Sequence, residues 1–273
     1  MRARRAQRQR SVTSQKGATR ALKNRANSSS VSNSKRTDAR GKPIENLILA
    51  RISDAEFNQV RAHLEFIKTR SYQILHQPGE RLDYAYFPNS GMISVVIEIS
   101  DRKTLEIAAV TRKGFAGESL IADQQTCPYR MISQPPVEGF RVKIDAMRTI
   151  LNSTPDLRLR LSRYVHFQSL RTAQIAACNR FHEIEQRLAR WLLMSQDRVG
   201  SAILPFTHDF LASMLGTGRA NVTVAAGALQ NAGAIEYKRG AVKVVNRRKL
   251  ENAACECYAK IRQFEVASQL ESA

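Results

Sequence analysis

The sequence predicts an α+β fold in three parts: a domain of short strands, one long helix, and a C-terminal domain of helices with a β-hairpin. Branched apolar residues occupy every second position from Ile93 to Ile99, which places them on one face of a strand. Residues 156–199 contain neither Pro nor Gly, which favours long helices. Residues 207–229 show the spacing of two short helices around a glycine turn.

The first 42 residues differ in composition from the rest of the 273-residue chain. They hold 13 of the 43 Lys and Arg residues and one acid, Asp38, so +12 of the net charge of +19 belongs to them. So polar a segment buries too little apolar surface to offset its ordering entropy, and we predict that residues 1–42 form a disordered basic tail. The tail either holds DNA phosphates loosely, is simply solvated, or reflects a start codon assigned too far upstream.

Residues 43–152 are predicted to form a small β-roll, or jelly roll. Apolar residues fall at helical spacing over 44–70, and short strands separated by glycine turns follow from Ser71. Leu105, Ile107 and Ala109 repeat the alternation of the preceding strand, and closing strands are expected over 137–144. Short strands at this spacing are typical of small barrels and jelly rolls.

A long helix is predicted over residues 153–180, with Pro155 in its first turn. Its apolar stripe consists of Leu157, Leu161, Tyr164, Val165 and Ile175. A two-fold coiled coil would bury this stripe, so the helix is predicted to dimerise. Packing of the stripe on the helix's own domain is the alternative, because the heptads are imperfect.

Residues 181–250 are predicted to form a winged helix-turn-helix. In Leu-Ala-x-x-Leu-Gly-x-x-Arg-x-x-Val, which begins at Leu211, each position has a steric role. Ala212 is the small contact between two crossing helices, Gly216 permits the turn, and Val222 anchors the second helix. The second helix, around 218–230, is the element that enters the major groove in such domains.

The residues predicted to contact DNA lie in this motif and in the hairpin that follows it. Arg and Asn side chains bond guanine and adenine edges, and basic residues at a hairpin tip meet phosphates. Thr207 would bond a phosphate, cap its helix, or do both. The full set is Thr207, Thr217, Gly218, Arg219, Asn221, Val222, Thr223, Lys238 and Arg239. Residues 251–273 are expected to form a C-terminal helix or tail.

The cysteines are predicted to be reduced and buried, with no metal site. Cys127, Cys178, Cys255 and Cys257 are scattered, and the spacing of the last two is too short for the usual zinc knuckle. The five histidines form no pair four residues apart. Free cysteines commonly pack as small apolar residues.

These motifs, over residues 44–260, resemble the Crp/Fnr family of bacterial transcription regulators. Phe87-Pro-Asn-Ser-Gly-Met-Ile-Ser94 and Gly114-Phe-Ala-Gly-Glu118 are similar to two family signatures, and the long helix and the helix-turn-helix follow in the same order. The resemblance implies a cyclic-nucleotide-binding-like sensor domain, a homodimer formed through the long helix, and recognition helices that read a promoter palindrome in double-stranded DNA. It also implies RNA polymerase as a partner.

Departures from the family pattern bear on the DNA target. Arg219 corresponds to the family's base-contacting arginine. Ala220 and Val224 stand where a glutamate and an arginine are often found, so the resemblance implies a target sequence different from the best-known one.

Departures at the sensor pocket leave its effector unknown. The candidate pocket residues are Gly117, Glu118, Ser119 and Arg130. Ser119 replaces a hydrophobic residue, and Arg130-Met-Ile replaces the family's phosphate clamp, so cyclic AMP is not the expected input. A cyclic nucleotide, cAMP or cGMP, is kept as the alternative. No cysteine precedes Cys127, so no iron–sulfur cluster is expected. A haem-based sensor remains an alternative, because His76 or Cys127 could ligate the haem iron.

The sequence favours a regulator over other classes of protein. It shows no nucleophile–base pair, paired carboxylates, phosphate loop or metal cluster, so we expect no enzyme activity. A nucleotide-regulated enzyme and a non-specific nucleic-acid coater acting through the tail are the remaining alternatives. No apolar run is long enough to span a membrane, and we expect a cytoplasmic protein with no membrane partner.

Overall fold

The computed structural model describes residues 36–99, 103–238 and 240–268, and it confirms the α+β fold. The strands are β1 (Glu65–Lys68), β2 (Gln73–His76), β3 (Tyr84–Ser90), β4 (Ile93–Ile99), β5 (Lys103–Val110), β6 (Arg130–Ser133), β7 (Glu138–Lys143), β8 (Ile203–Leu204), β9 (Ile235–Lys238) and β10 (Ala241–Val244). The helices are α1 (Leu47–Arg51), α2 (Asp54–Arg61), α3 (Ile144–Leu151), α4 (Pro155–Phe181), α5 (Ile184–Val199), α6 (His208–Leu215), α7 (Arg219–Asn231), α8 (Arg247–Ala253) and α9 (Cys257–Ala267). A 3₁₀ helix spans Glu118–Ala122.

The N-terminal domain is a β-roll built from two antiparallel sheets, in the orders β1-β7-β3 and β2-β6-β4-β5. Aromatic and branched side chains fill the space between them, and Phe87 and Phe115 stack with ring centroids 5.9 Å apart. Antiparallel sheets that pack face to face need this dry, well-filled interior. The strand domain predicted from the alternating residues is therefore confirmed.

Two predictions for the N-terminal region are wrong in detail. Helical spacing over 44–70 holds only as far as α2, because residues 65–68 instead pair with β7 as strand β1, where Phe66 packs edge-on against Phe140. Residues 36–42 are ordered: the Arg36 guanidinium donates to the carbonyls of Leu49 and Ile52 at the end of α1 and to the carboxylate of Asp54 in α2. Residues 1–35, the rest of the predicted tail, lie outside the described residues.

The long helix α4 packs one face against its own chain. Leu157, Leu161, Tyr164 and Ile175 of the predicted stripe are buried there. The alternative given for this stripe, packing on its own domain, is therefore the arrangement in the structure. The face of α4 available to a partner is the opposite one.

Helix α4 begins at Pro155, as predicted, and its first turn is capped from another helix. Thr154, at the N-cap position, makes no side-chain cap hydrogen bond. The buried Glu56 of α2 supplies the acceptors instead, since its Oε1 accepts from the amide of Asp156 at 2.9 Å and its Oε2 from that of Leu157 at 2.8 Å. A carboxylate at a helix N-terminus satisfies orphan amides and complements the helix dipole.

We expect Glu56→Ala to lower the free energy of unfolding by about 1–3 kcal/mol, because two helix N-terminal amides, one of them buried, lose their acceptor. Urea denaturation followed by far-ultraviolet circular dichroism measures the change. Glu45→Ala is the control, because Glu45 is exposed and its side chain makes no cap contact. Equal stability of the two variants would contradict the capping role.

Candidate nucleic-acid interface

The predicted helix-turn-helix is present as α6, a short turn and α7. Thr207 is the N-cap of α6, and its Oγ1 accepts from the amide of Phe210 at 3.2 Å, so the capping role is confirmed. Gly216 ends α6 in the left-handed conformation, with φ of +62°, and its amide bonds back into the helix. A residue with a side chain would be strained there, which explains the glycine in the motif.

Helix α7 has a buried face and an exposed face. Its buried face consists of Val222, Ala225, Ala226 and Leu229. Val222 is 0% exposed, so its assignment to the DNA-contacting set is wrong: its side chain anchors the helix and has no route to a groove. The exposed face carries Gly218, Arg219, Asn221, Thr223 and Val224.

Short polar contacts position the exposed side chains of this motif. An Arg219 guanidinium nitrogen lies 3.4 Å from a carboxylate oxygen of Asp209, with both side chains about two-thirds exposed. Asn221 Nδ2 donates to Thr217 Oγ1 at 3.0 Å. Solvated contacts of this kind contribute little stability, so these groups can exchange them for another partner at small cost.

His208 connects both helices of the motif to the hairpin. Thr223 Oγ1 donates to the Arg219 carbonyl and lies 3.0 Å from His208 Nδ1. Since the single hydroxyl proton is used for that carbonyl, Nδ1–H is the donor to Thr223 and the hydroxyl oxygen is the acceptor. The His208 ring also packs on Tyr237 of β9, with centroids 4.0 Å apart. Partial burial, and then the nearby Arg219 charge, lower the pKa of His208 below its usual 6.5.

The hairpin predicted as a wing is formed by β9 and β10, with Lys238 paired to Ala241 across the turn. Lys238 is exposed, and Arg239 lies outside the described residues. A Cβ placed on Gly240 would sit 3.5 Å from Thr207 Cγ2, so the hairpin tip lies beside the N-terminus of α6. Thr207 and the wing therefore flank the same surface as α7.

Of the four candidate pocket residues of the β-roll, Glu118 and Arg130 have different partners within the chain. Gly117 and Glu118 begin the 3₁₀ helix. Burial raises the pKa of the Glu118 carboxyl, and the charge of Arg171 on α4 opposes this shift. Arg130 has other partners: it donates to Gln77 at 3.0 Å and to Glu98 at 2.7 Å. Ser119 is half-buried beside Glu118. These contacts do not assemble an anion-binding set from Glu118 and Arg130.

His76 and Cys127, the two candidate haem ligands, lie together in the β-roll. Both are buried, and His76 Nε2 lies 3.2 Å from the Cys127 carbonyl oxygen. That ring nitrogen therefore has a backbone partner, which is a structural role for the side chain.

Three cysteines and a histidine that are scattered in the sequence, and for which no common site was predicted, meet at the end of α4. The ligand atoms of Cys178, His182, Cys255 and Cys257 all lie within 4.8 Å of one another. The Cys255 thiol, through a hydrogen bond, lowers the pKa of the Cys178 thiol, and the charge of Arg190 adds to this effect. Cys178 and His182 are four residues apart, a spacing that places two side chains on one face of a helix; this i, i+4 pair of possible ligands is the signal in the sequence that pairs of histidines alone do not reveal.

Comparison with known proteins identifies the C-terminal domain and the fold. Residues 186–253 match the family model described as the Crp-like helix-turn-helix domain. CLP of Xanthomonas campestris, described as a c-di-GMP responsive global regulator, is 16% identical, with 71% of this chain and 100% of that chain covered and a TM-score of 0.62. A CRP-family transcriptional regulator from Thermus thermophilus is 20% identical, with 69% and 96% covered and a TM-score of 0.59.

FixK2 from Bradyrhizobium japonicum is similar as well, with 14% identity, 70% and 98% coverage, and a TM-score of 0.57. No curated protein matches the sequence. At these identities the structural likeness establishes the fold. The chain has the fold of the Crp/Fnr transcription regulators. Its residues 186–253 are a Crp-like helix-turn-helix domain, as the sequence motifs predicted.

No helix in the described part of the chain is both long and apolar enough to cross a bilayer.

We expect the unfolding midpoint to fall as the pH drops below about 6.5, with part of the fall due to His208. A lowered pKa in the folded state means that the unfolded chain takes up this proton first, so the contribution of neutral His208 is complete above that pH and is lost below it. His208→Asn keeps a donor for Thr223 and should lose less stability than the wild type between pH about 7.5 and about 5.5.

Thermal unfolding at the two pH values measures the difference. The matched control is His63→Asn, since His63 is exposed. A pH response in His208→Asn equal to that of the wild type would contradict this assignment.

Proposed function

We propose that the protein is a homodimeric, sequence-specific DNA-binding regulator of transcription that reads a palindromic promoter site. The observation that carries the proposal is the exposed face of α7. Its side chains have no part in the core, whereas the opposite face anchors the helix firmly. Crp/Fnr regulators bind DNA and are typically dimeric, which supports the same interpretation.

Direct reading of bases would come from the first two turns of α7. Arg219 has the donor geometry for a guanine edge, and Asn221 has the donor and acceptor needed for adenine. Val224 is 74% exposed on the same face. An exposed branched apolar group on a recognition helix suits contact with a thymine methyl group, so we propose that Val224 contributes to sequence preference.

Phosphate contacts would orient the domain on the duplex. The wing tip lies beside Thr207 at the N-terminus of α6, and His208 of α6 contacts both Thr223 of α7 and Tyr237 of the wing. A cation at the wing and amides at a helix N-terminus are both suited to backbone phosphates. Thr217 and Gly218, in the turn before α7, would approach the DNA backbone closely.

The dimer would form through the outer face of α4. Two sets of residues spaced by seven lie there: Leu159, His166, Ala173 and Arg180, and then Arg163, Leu170 and Ala177. All are exposed except Leu170, which is partly buried. This heptad spacing, with small residues in its second half, allows close approach of a second α4 in a coiled coil.

The sensor input is proposed to be a ligand other than cAMP, because Arg130 is already engaged by Gln77 and Glu98 and is not among the partners of Glu118. A dimer bound at a promoter would act by contacting RNA polymerase.

Selection of bound sequences from a random DNA pool by the purified full chain tests the proposal. We expect an enriched inverted repeat whose half-sites are one helical turn apart, about 34–36 Å. The same chain without residues 1–35 should keep this preference, and its DNA affinity should depend less on the salt concentration. Absence of any preferred sequence, or its loss with the tail, would overturn the proposal.

We expect Arg219→Ala to weaken binding to the selected site by roughly 5- to 150-fold, which corresponds to about 1–3 kcal/mol for a bidentate base contact. Binding to random DNA should change much less. Arg219→Lys keeps the charge and loses the bidentate geometry, so it should retain non-specific affinity but lose preference for the site. Fluorescence anisotropy with both DNAs measures the affinities, and an unchanged site preference in Arg219→Ala would contradict the assignment.

We expect Ala173→Glu to shift the protein toward monomer, because it places a carboxylate at the centre of the outer face of α4, opposite its symmetry mate. Sedimentation velocity measures the mass. Ala55→Glu, at an exposed position of α2, is the matched control and should leave the dimer intact. A dimer of unchanged stability in Ala173→Glu would show that another surface is used.

A further inference from the structure

We propose that Cys178, His182, Cys255 and Cys257 hold one metal ion of the zinc class, in a tetrahedral site that joins the end of α4 to the C-terminal helices. These residues lie outside α6, α7 and the wing, and they are no part of the DNA-contacting set. They come from two distant stretches of sequence, 178–182 and 255–257, which only the fold brings together.

The spacing of the four ligand atoms fits a single ion. A tetrahedral site with Zn–S bonds of about 2.3 Å has its sulfurs about 3.8 Å apart. In the structure, Cys178 Sγ lies 3.5 Å from Cys255 Sγ, and Cys257 Sγ lies 3.6 Å from His182 Nδ1. The full set fits within 4.8 Å. Three thiolates and one imidazole are a recurrent ligand set for structural zinc.

His182 has the orientation of a metal ligand. Its Nδ1 faces Cys257 Sγ, whereas its Nε2 lies 3.2 Å from a carboxylate oxygen of Glu256. When Nε2–H donates to a carboxylate, Nδ1 is left as the unprotonated nitrogen, and this is how histidine ligands are usually oriented and made more basic. Glu256 stands between the two cysteines in sequence, so one short segment supplies both ligands and the group that orients the histidine.

Hydrogen bonds and charges around the cluster suit thiolates. Gln174 Nε2 lies 3.1 Å from Cys257 Sγ and is placed to donate to it. Arg190 is only 3% exposed, forms no ion pair within the described residues, and its Nε lacks a hydrogen-bond partner there. A buried guanidinium needs an anionic partner. Three thiolates around a divalent ion leave one negative charge, which would supply it.

Other occupants fit these distances less well. In a four-iron cluster each thiolate binds a different iron atom, which would spread the sulfurs further apart than they are here. A disulfide between Cys178 and Cys255 would use two of the four ligands. It would not account for the contacts of His182 with Cys257 and Glu256. Soft thiolate ligands favour zinc over magnesium or calcium, which prefer oxygen.

The position of the site gives it a structural consequence. His182 ends α4, Ile184 begins α5, and Cys255 and Cys257 flank the start of α9. One ion would therefore fix the junction between the long helix and the DNA-binding domain to the C-terminal segment. Because binding to the folded state alone raises stability, the ion should also raise the unfolding midpoint.

The test uses the full chain, purified under reducing conditions from cells supplied with zinc. We expect about one zinc per chain by elemental mass spectrometry. Replacement by cobalt(II) should give thiolate-to-cobalt charge transfer and the intense visible bands of a tetrahedral site. Relative to the chelated protein, the loaded protein should protect Cys178, Cys255 and Cys257 from alkylation.

Variants locate the ion. Cys257→Ser and His182→Asn should lose the metal, and Cys127→Ser, which removes a buried cysteine of the β-roll, should keep it. Chelation should lower the unfolding midpoint of the wild type and of Cys127→Ser and leave that of Cys257→Ser unchanged. None of these readouts uses DNA, so their outcome is separate from that of the proposed function.

Several outcomes would overturn the proposal. These are a reduced wild-type chain that takes up neither zinc nor cobalt, a Cys178–Cys255 disulfide in the freshly reduced protein, iron with inorganic sulfide in place of zinc, and full metal content in Cys257→Ser. The wild-type measurements decide the matter even if a variant fails to fold.

Discussion

The structure depends on the burial of one face of α4 against the chain's own β-roll. Gly114 makes this contact possible, because a Cβ at that position would lie 2.1 Å from the ring of Tyr164. Further along the helix, the fully buried Arg171 donates to the carbonyl of Ala109 and to Gln168, and burial lowers its pKa to about 9. A charged group so placed fixes the position of the helix closely, since any shift would leave it unpaired. With one face committed in this way, α4 offers its other face to a partner and its end to the DNA-binding domain.

The DNA-binding domain is held against the β-roll by a polar contact inside an apolar patch. Met92 and Val96 of the β-roll pack with the core of the helical domain. Within this patch the buried Glu106 of β5 accepts from Ser94 at 2.8 Å and from the indole nitrogen of Trp191 on α5 at 3.2 Å. Apolar contact supplies most of the attraction, and the two hydrogen bonds select one relative position, because a buried carboxylate without donors is costly. These contacts therefore fix the orientation of the domain that contains α7 relative to the strands of the β-roll.

Local patterns predicted local structure well. Pro155 marks the start of α4, and the spacing from Leu211 to Val222 predicted both helices of the motif and the turn. These features depend on contacts between residues a few positions apart in the sequence. Non-local contacts escaped prediction. Phe66 lies in a stretch with helical spacing and becomes strand because β7 offers it a partner. The stripe from Leu157 to Ile175 was identified correctly as apolar, but the sequence does not say whether the same chain or another covers it.

The thiol cluster was missed for the same reason, since 77 residues separate Cys178 from Cys255 and only folding makes them neighbours. The junction beside it is where such a connection matters most. His182 is extended, and Glu183 opens α5 with its own capping box, so no helical hydrogen bonds run continuously from α4 into α5. The angle between the two helices is therefore set by side-chain contacts on either side: the Cys–His cluster at the junction, and the contact of Trp191 on α5 with Glu106 of the β-roll. A ligand that changed either set would act on the DNA-binding surface without touching it.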